Sequence, residues 1–142
     1  MRRNRKTVLM SVLLAAVLIC FVLLSCGNDR GERLRSNEAR VAWLSKQGWE
    51  VEQTPVMEQR VILPESFPPV LEEYNELQKA QGFDLKRCAG KEVEVYTYRV
   101  TNYPGESEVY CCLYLHRSRV VAGDVHAAAV TGFMTGILRE NP

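Results

Sequence analysis

The sequence predicts an α+β domain: two helices and a short terminal helix packed on a small antiparallel sheet with a three-stranded meander. Helix signals converge on residues 68–81, and Val-, Tyr- and Thr-rich alternating segments then follow one another from residue 92 to residue 125 with tight links between them. In chain order, Asn37 can cap a helix over residues 38–47, with Val41 and Leu44 on one face and Gly48 past its end, where positive φ comes easily. Trp49 can fold back on that last turn, and Trp43 and Trp49 both read as core residues. Short strands are expected at residues 49–53 and 56–63, parted by Thr54-Pro55, which interrupts ladder pairing.

The second helix has prolines in its first turn, Glu72 and Glu73 toward its amino end, Lys79 toward the other end and Gly82 beyond. Val70, Tyr74, Leu77 and Gln81 recur at helical spacing and predict its apolar face. The strand at residues 92–101 changes phase. Val93 and Val95 share one face and Tyr96, Tyr98 and Val100 the other, which implies burial on both faces or a bulge. After the turn at Asn102-Tyr103-Pro104-Gly105, residues 108–116 alternate cleanly, setting Val109, Cys111, Leu113 and Leu115 against Tyr110, Cys112, Tyr114 and His116. Arg117-Ser118-Arg119 links to a strand over residues 120–125, completing the meander. Residues 127–138 are expected to close as a short helix packed on the sheet, although Gly132 and Gly136 weaken it.

Residues 1–26 predict an address. Arg2, Arg3, Arg5 and Lys6 precede an apolar run from Val8 to Leu24, and positive charge beside such a run is retained in the cytoplasm. Two fates are open. As a retained transmembrane helix the run gives roughly 26 Å, near the ~30 Å hydrocarbon core. As a signal peptide it ends at Leu23-Leu24-Ser25-Cys26, which resembles the lipobox of bacterial lipoproteins and makes Cys26 the lipidation site. Both place residues 37–142 as a single extracytoplasmic domain, with residues 27–36 a polar tether and the membrane as partner through the anchor.

Those first 26 residues hold four of the 18 basic residues and none of the 17 acidic ones, so the remainder is about −3 rather than +1. No nucleic-acid partner is expected from such a balance. Beyond the anchor only Cys88, Cys111 and Cys112 remain, too few for a disulfide framework, so the core must hold by packing.

Side-chain chemistry concentrates in the meander. Cys112 and His116 share one strand face, and Asp124 and His126 share a face two residues apart, so a Cys/His/Asp site is geometrically conceivable. No C-x-x-C or H-E-x-x-H spacing accompanies it, and no metal, cofactor or catalytic residue is assigned. Cys111 reads as a small core hydrophobe, and the carboxylate pairs Glu50/Glu52 and Glu92/Glu94 as solvated strand faces. Tyr96, Tyr98, Tyr103, Tyr110 and Tyr114, with the Pro104-Gly105 turn, form a candidate binding surface if several share a face.

Gly48-Trp49-Glu50-Val51, Tyr74-Asn75-Glu76-Leu77-Gln78, Gln81-Gly82-Phe83-Asp84-Leu85, Tyr96-Thr97-Tyr98, Asn102-Tyr103-Pro104-Gly105 and Gly132-Phe133-Met134 occur in an order that resembles the bacterial domain of unknown function 4830 family, over about residues 40–138. The resemblance implies a membrane-anchored protein of Gram-positive bacteria and no established activity, substrate or cofactor. Asp124-Val125-His126 departs from it, with histidine where the resemblance leads one to expect cysteine. The leading functional expectation is a non-catalytic binding or assembly module of the cell envelope, with an envelope protein or cell-wall component as partner. The alternative is a small envelope hydrolase or metal-dependent enzyme using the Cys/His/Asp cluster.

Overall fold

A computed structural model of the protein describes residues 32–129 and 131–139. The anchor expected over residues 1–26 lies outside them. Among the described residues, no helix is long and apolar enough to cross a membrane.

Helix α1 spans Asn37–Lys46. Its cap is Ser36 rather than Asn37, the Ser36 hydroxyl accepting from the Ala39 N–H at 3.2 Å. Asn37 is used elsewhere: its amide donates to the Gln53 carbonyl at 2.7 Å, and its Oδ1 accepts from the Tyr98 hydroxyl at 2.9 Å. Gly48 takes φ +86° beyond the helix, and the Trp49 N–H turns back to the Leu44 carbonyl. Of the strand expected at residues 49–53, only an isolated bridge from Val51 to Val100 forms. Strand β1 is Met57–Ile62, an exposed edge. Helix α2, Pro69–Ala80, and a 3-10 helix, Leu85–Cys88, connect it to β2, Glu92–Arg99. Strands β3, Val109–His116, and β4, Arg119–Ala127, follow as a hairpin.

The expected terminal helix is replaced by a strand. Residues Met134–Gly136 form β5, which pairs antiparallel with Asp124–His126 of β4. Two glycines cost a helix about 1 kcal/mol each, whereas the free edge of β4 offers unpaired backbone groups. The following residue, Ile137, is fully buried against Gly123, where an added Cβ would stand 2.7 Å from Ile137 Cγ2. The sheet is therefore five-stranded, ordered β1-β2-β3-β4-β5 with every neighbouring pair antiparallel, and contains the expected three-stranded meander at its centre.

Both faces of the sheet are covered. Tyr98, Val100 and the Val109, Cys111, Leu113, Leu115 row of β3 pack with Trp43 and Leu44 of α1. Val93 and Val95 pack on the opposite face with Leu85, Cys88 and the partly buried Leu71 and Tyr74 of α2. The phase change read in β2 thus reflects two buried faces, while the register shift falls in the β3–β4 pairing between Tyr114 and Leu115.

Helix α2 uses the predicted face in part: Tyr74, Leu77 and Gln81 are half-buried toward the sheet, whereas its first turn is not. Val70 is 74% exposed, and the fully buried residues are Asn75 and Gln78. Polar groups can be buried when their hydrogen bonds are met inside. Asn75 donates to Asp84 and accepts from the Leu85 N–H, and Gln78 Oε1 accepts from the Gly123 N–H at 2.9 Å. Residues 32–36 also join the domain. Leu34 is 1% exposed in the α1-side core, its N–H donates to the Ser118 carbonyl at 2.7 Å, and Arg33 bridges to Arg119.

Candidate functional site

Two groupings of side chains stand out, on different parts of the fold. The first is an open cleft of about 630 Å³ between the end of α1, the end of α2 and β5, lined by Trp49, Leu77, Gln81, Tyr103, Thr135 and Arg139. Local sequence builds each wall. Gly48 turns the chain out of α1 and presents Trp49, whose indole N–H donates to the Ile137 carbonyl at 2.7 Å. Asn102 ties the β2–β3 loop to this turn, donating to the Gly48 carbonyl and accepting from the Glu50 N–H, both at 3.0 Å. That tie brings Tyr103 parallel to Trp49, with ring centroids 6.2 Å apart, and Tyr103 stacks in turn on Phe133 at 4.7 Å. The Arg139 guanidinium lies over the Trp49 ring at 4.0 Å, and Arg139 forms no ion pair among the described residues. Gln81 closes the cleft floor, donating to the Gly123 carbonyl and accepting from the Leu138 N–H. Trp49 is itself a core residue, 5% exposed between Arg139 and Tyr103. What the cleft offers a ligand is therefore the edge of this row of rings, the half-buried Tyr103 and a guanidinium without an acidic partner among the described residues, which suits a ligand with an apolar ring and a negative group.

The second grouping lies on the α2 side of the sheet. Cys112 and Asp124 face each other across β3 and β4, and His126 follows two residues along on the same face. Cys112 Sγ, an Asp124 carboxylate oxygen and a His126 ring nitrogen all lie within 4.8 Å of one another. Asp124 is almost wholly buried and bonded twice, its Oδ1 accepting from the Tyr74 hydroxyl at 2.6 Å and its Oδ2 lying 2.7 Å from His126 Nδ1. The bond to Asp124 holds the His126 imidazole above its ordinary value, against the opposing effect of burial. Burial, reinforced by the Asp124 charge, drives the Tyr74 phenol far up. The same two causes push the Cys112 thiol up to about 11, so without another cation nearby it is a neutral thiol and a poor nucleophile at neutral pH.

A family model described as Domain of unknown function (DUF4830) matches residues 43–125, more than half of the chain. The chain belongs to the DUF4830 family. No curated protein and no solved structure matches it. The DUF4830 match takes in Trp49, Tyr74, Tyr103, Cys112 and Asp124, while His126, β5 and Arg139 lie past its end.

In this DUF4830 chain the five tyrosines do not form one surface. Tyr98 is fully buried beneath α1, and Tyr96 lies under the Arg40 guanidinium at 3.7 Å on that same side. Tyr110 and Tyr114 sit on the opposite face, Tyr110 bonded to Glu108 and Tyr114 against Tyr74. Pro104 and Gly105 form an exposed turn, and of the tyrosines only Tyr103 lines the cleft. His116 stands apart from the Cys/His/Asp cluster, its Nδ1 at 2.9 Å from the Glu92 carbonyl. Cys111 is core and both thiols are free, pointing to opposite faces. Glu52 and Glu94 pair with Arg99 and Arg60. Arg139, Gln81 and Tyr74 were not foreseen as site residues. Tyr74 stood at helical spacing as an apolar contact, and nothing local distinguishes a hydroxyl that will meet a buried carboxylate fifty residues away.

Proposed function

We propose that this DUF4830 protein is a non-catalytic binding module of the bacterial cell envelope, held outside the membrane by residues 1–26 with Cys26 as the point of lipid attachment. Its ligand is an anionic, ring-bearing cell-wall component seated in the Trp49/Tyr103/Arg139 cleft. The observation that carries the reading is the cleft itself: Trp49 and Tyr103 stacked in its wall, Tyr103 backed by Phe133, and beside them the Arg139 guanidinium over Trp49 without an acidic partner among the described residues. Stacking recognises the flat face of a ring, and the guanidinium recognises a carboxylate. The basic tip, apolar run and Leu23-Leu24-Ser25-Cys26 support the location.

The test is an NMR titration of the full chain in detergent with soluble, carboxylate-bearing glycan fragments of the cell wall. The Trp49 indole resonance shifts on addition, and Tyr103→Ala and Arg139→Ala each weaken binding about tenfold, the ~1–2 kcal/mol of one stacking or charge-assisted contact. Absence of shifts at millimolar fragment, or shifts indifferent to both substitutions, refutes it. Mass spectrometry of the mature amino terminus tests the anchor: acylated Cys26 supports lipidation, and an intact Met1 segment refutes it.

A further inference from the structure

We propose that Cys112, Asp124 and His126 form a binding site for one zinc-class divalent transition-metal ion, with Tyr74 and Thr97 as its supporting shell. Three ligands of the types such ions prefer, a thiol, a carboxylate and an imidazole, meet within 4.8 Å. Ligand atoms around a tetrahedral ion at about 2.0–2.3 Å stand about 3.3–3.8 Å apart, so side-chain adjustments of about an ångström bring all three onto one ion, the 2.7 Å hydrogen bond between Asp124 Oδ2 and His126 Nδ1 opening in exchange for bonds to the metal. The backbone already supplies the placement. Cys112 and Asp124 are direct cross-strand partners in the centre of the sheet, and His126 is on the same face of β4, so three rigid positions converge without a loop.

Charge agrees with burial. Coordination forms a metal–sulfur bond and releases the Cys112 thiol proton to solvent, and thiolate plus carboxylate then balance a dication in a region where an unbalanced charge would be costly. The surroundings supply what metal ligands ordinarily receive from behind. The Tyr74 hydroxyl donates to Asp124 Oδ1 at 2.6 Å, and Thr97 Oγ1 lies 3.3 Å from Cys112 Sγ, fixing two of the three ligands by groups that are not themselves ligands. His126 is more exposed than Asp124, its side chain 27% accessible against 3%, and leaves a route for the ion and a fourth position for solvent. The site is separate from the cleft, so its test and that of the binding reading succeed or fail independently.

The experiment titrates the full chain, in detergent, reduced and stripped of metal, with cobalt alone and then zinc. One equivalent of cobalt produces a thiolate-to-cobalt charge-transfer band and tetrahedral visible bands, and one equivalent of zinc removes both. Cys112→Ser abolishes the charge-transfer band, His126→Ala weakens binding at least about tenfold, and Tyr74→Phe weakens it about tenfold while leaving the band in place. Cys88→Ser leaves everything unchanged. No band, a band that survives Cys112→Ser, or one lost in Cys88→Ser overturns the proposal. If Cys112→Ser does not fold by circular dichroism, cadmium NMR of the unsubstituted chain decides: a shift typical of one thiolate with nitrogen and oxygen supports the site, and a multi-thiolate shift or none refutes it.

Discussion

Removing one oxygen from Tyr98 severs two hydrogen bonds at once. Its hydroxyl accepts from Arg40 Nε at 2.9 Å and donates to Asn37 Oδ1 at 2.9 Å, joining two consecutive regions of α1 to the centre of β2. Arg40 is itself largely buried and lies over Tyr96, so the loss leaves a guanidinium short of a partner. Tyr98→Phe is expected to lower unfolding free energy by about 1–3 kcal/mol in urea melts. Combined with Asn37→Ala, its effect should be less than additive because the two share a bond. A second residue-scale prediction concerns acid. Asp84 is held below its ordinary value of 3.8, first by the Asn75 amide and also by the Lys86 N–H. The unfolded chain therefore takes up the proton before the folded one, so the Asp84 contribution is complete above about pH 4 and is lost as pH falls through the depressed folded value. Asp84→Asn should flatten the acid limb of stability measured between about pH 2 and 5. These residues also show what local pattern cannot convey. Asn75 and Gln78 look like solvent positions because their burial depends on partners in the 3-10 segment and β4, and Gln78 Nε2 remains without a hydrogen-bond partner among the described residues.

At the scale of elements, the β3–β4 hairpin and the packing of Ile137, just past β5, on β4 make opposite predictions. Arg117 and Ser118 both adopt left-handed backbone, at φ 51° and 64°, as a two-residue turn requires, yet neither is the Gly or Asn that does so easily. Ser118→Gly should raise stability by about 1 kcal/mol, read as a higher urea midpoint with unchanged slope. Gly123 has no such freedom, since an added Cβ would meet Ile137 Cγ2 at 2.7 Å and the Cys112 carbonyl at 3.1 Å. Gly123→Ala should cost about 1–3 kcal/mol. The positions of α1, α2 and the central strands were readable because each rests on breakers, period or alternation within a few residues, whereas for β2 alternation left two-faced burial and a bulge both open. β5 was not, because three residues containing a glycine have no periodicity to read and their conformation is decided by the edge of β4. The same holds for the candidate sites. Strand alternation put Cys112, Asp124 and His126 within reach of one another but could not exclude His116, and Arg139 reaches Trp49 only because β5 turns the chain back.

At the largest scale, the described residues form one sheet covered on both faces, one by α1 and the other by α2 with the 3-10 segment. Its limits differ from those composition implies. Leu34 stands alone among charged and small residues, which reads as tether, yet it is a core side chain. Leu34→Ala is therefore expected to cost about 2–4 kcal/mol in chemical denaturation of the full chain, a core-sized penalty from a position outside every helix and strand.

That same contact gives the molecule a near end and a far end. The chain enters the sheet beside Ser118, in the β3–β4 hairpin, while Tyr103 lies in the loop at the opposite end of β2 and β3. Eight-residue strands separate the two by about 26 Å. From Cys26 to Glu32 the chain can extend by at most about 20 Å. On the proposed anchoring, the cleft then has a maximum stand-off of roughly 45 Å from the bilayer surface. Only the layer of wall lying directly over the membrane falls within its radius.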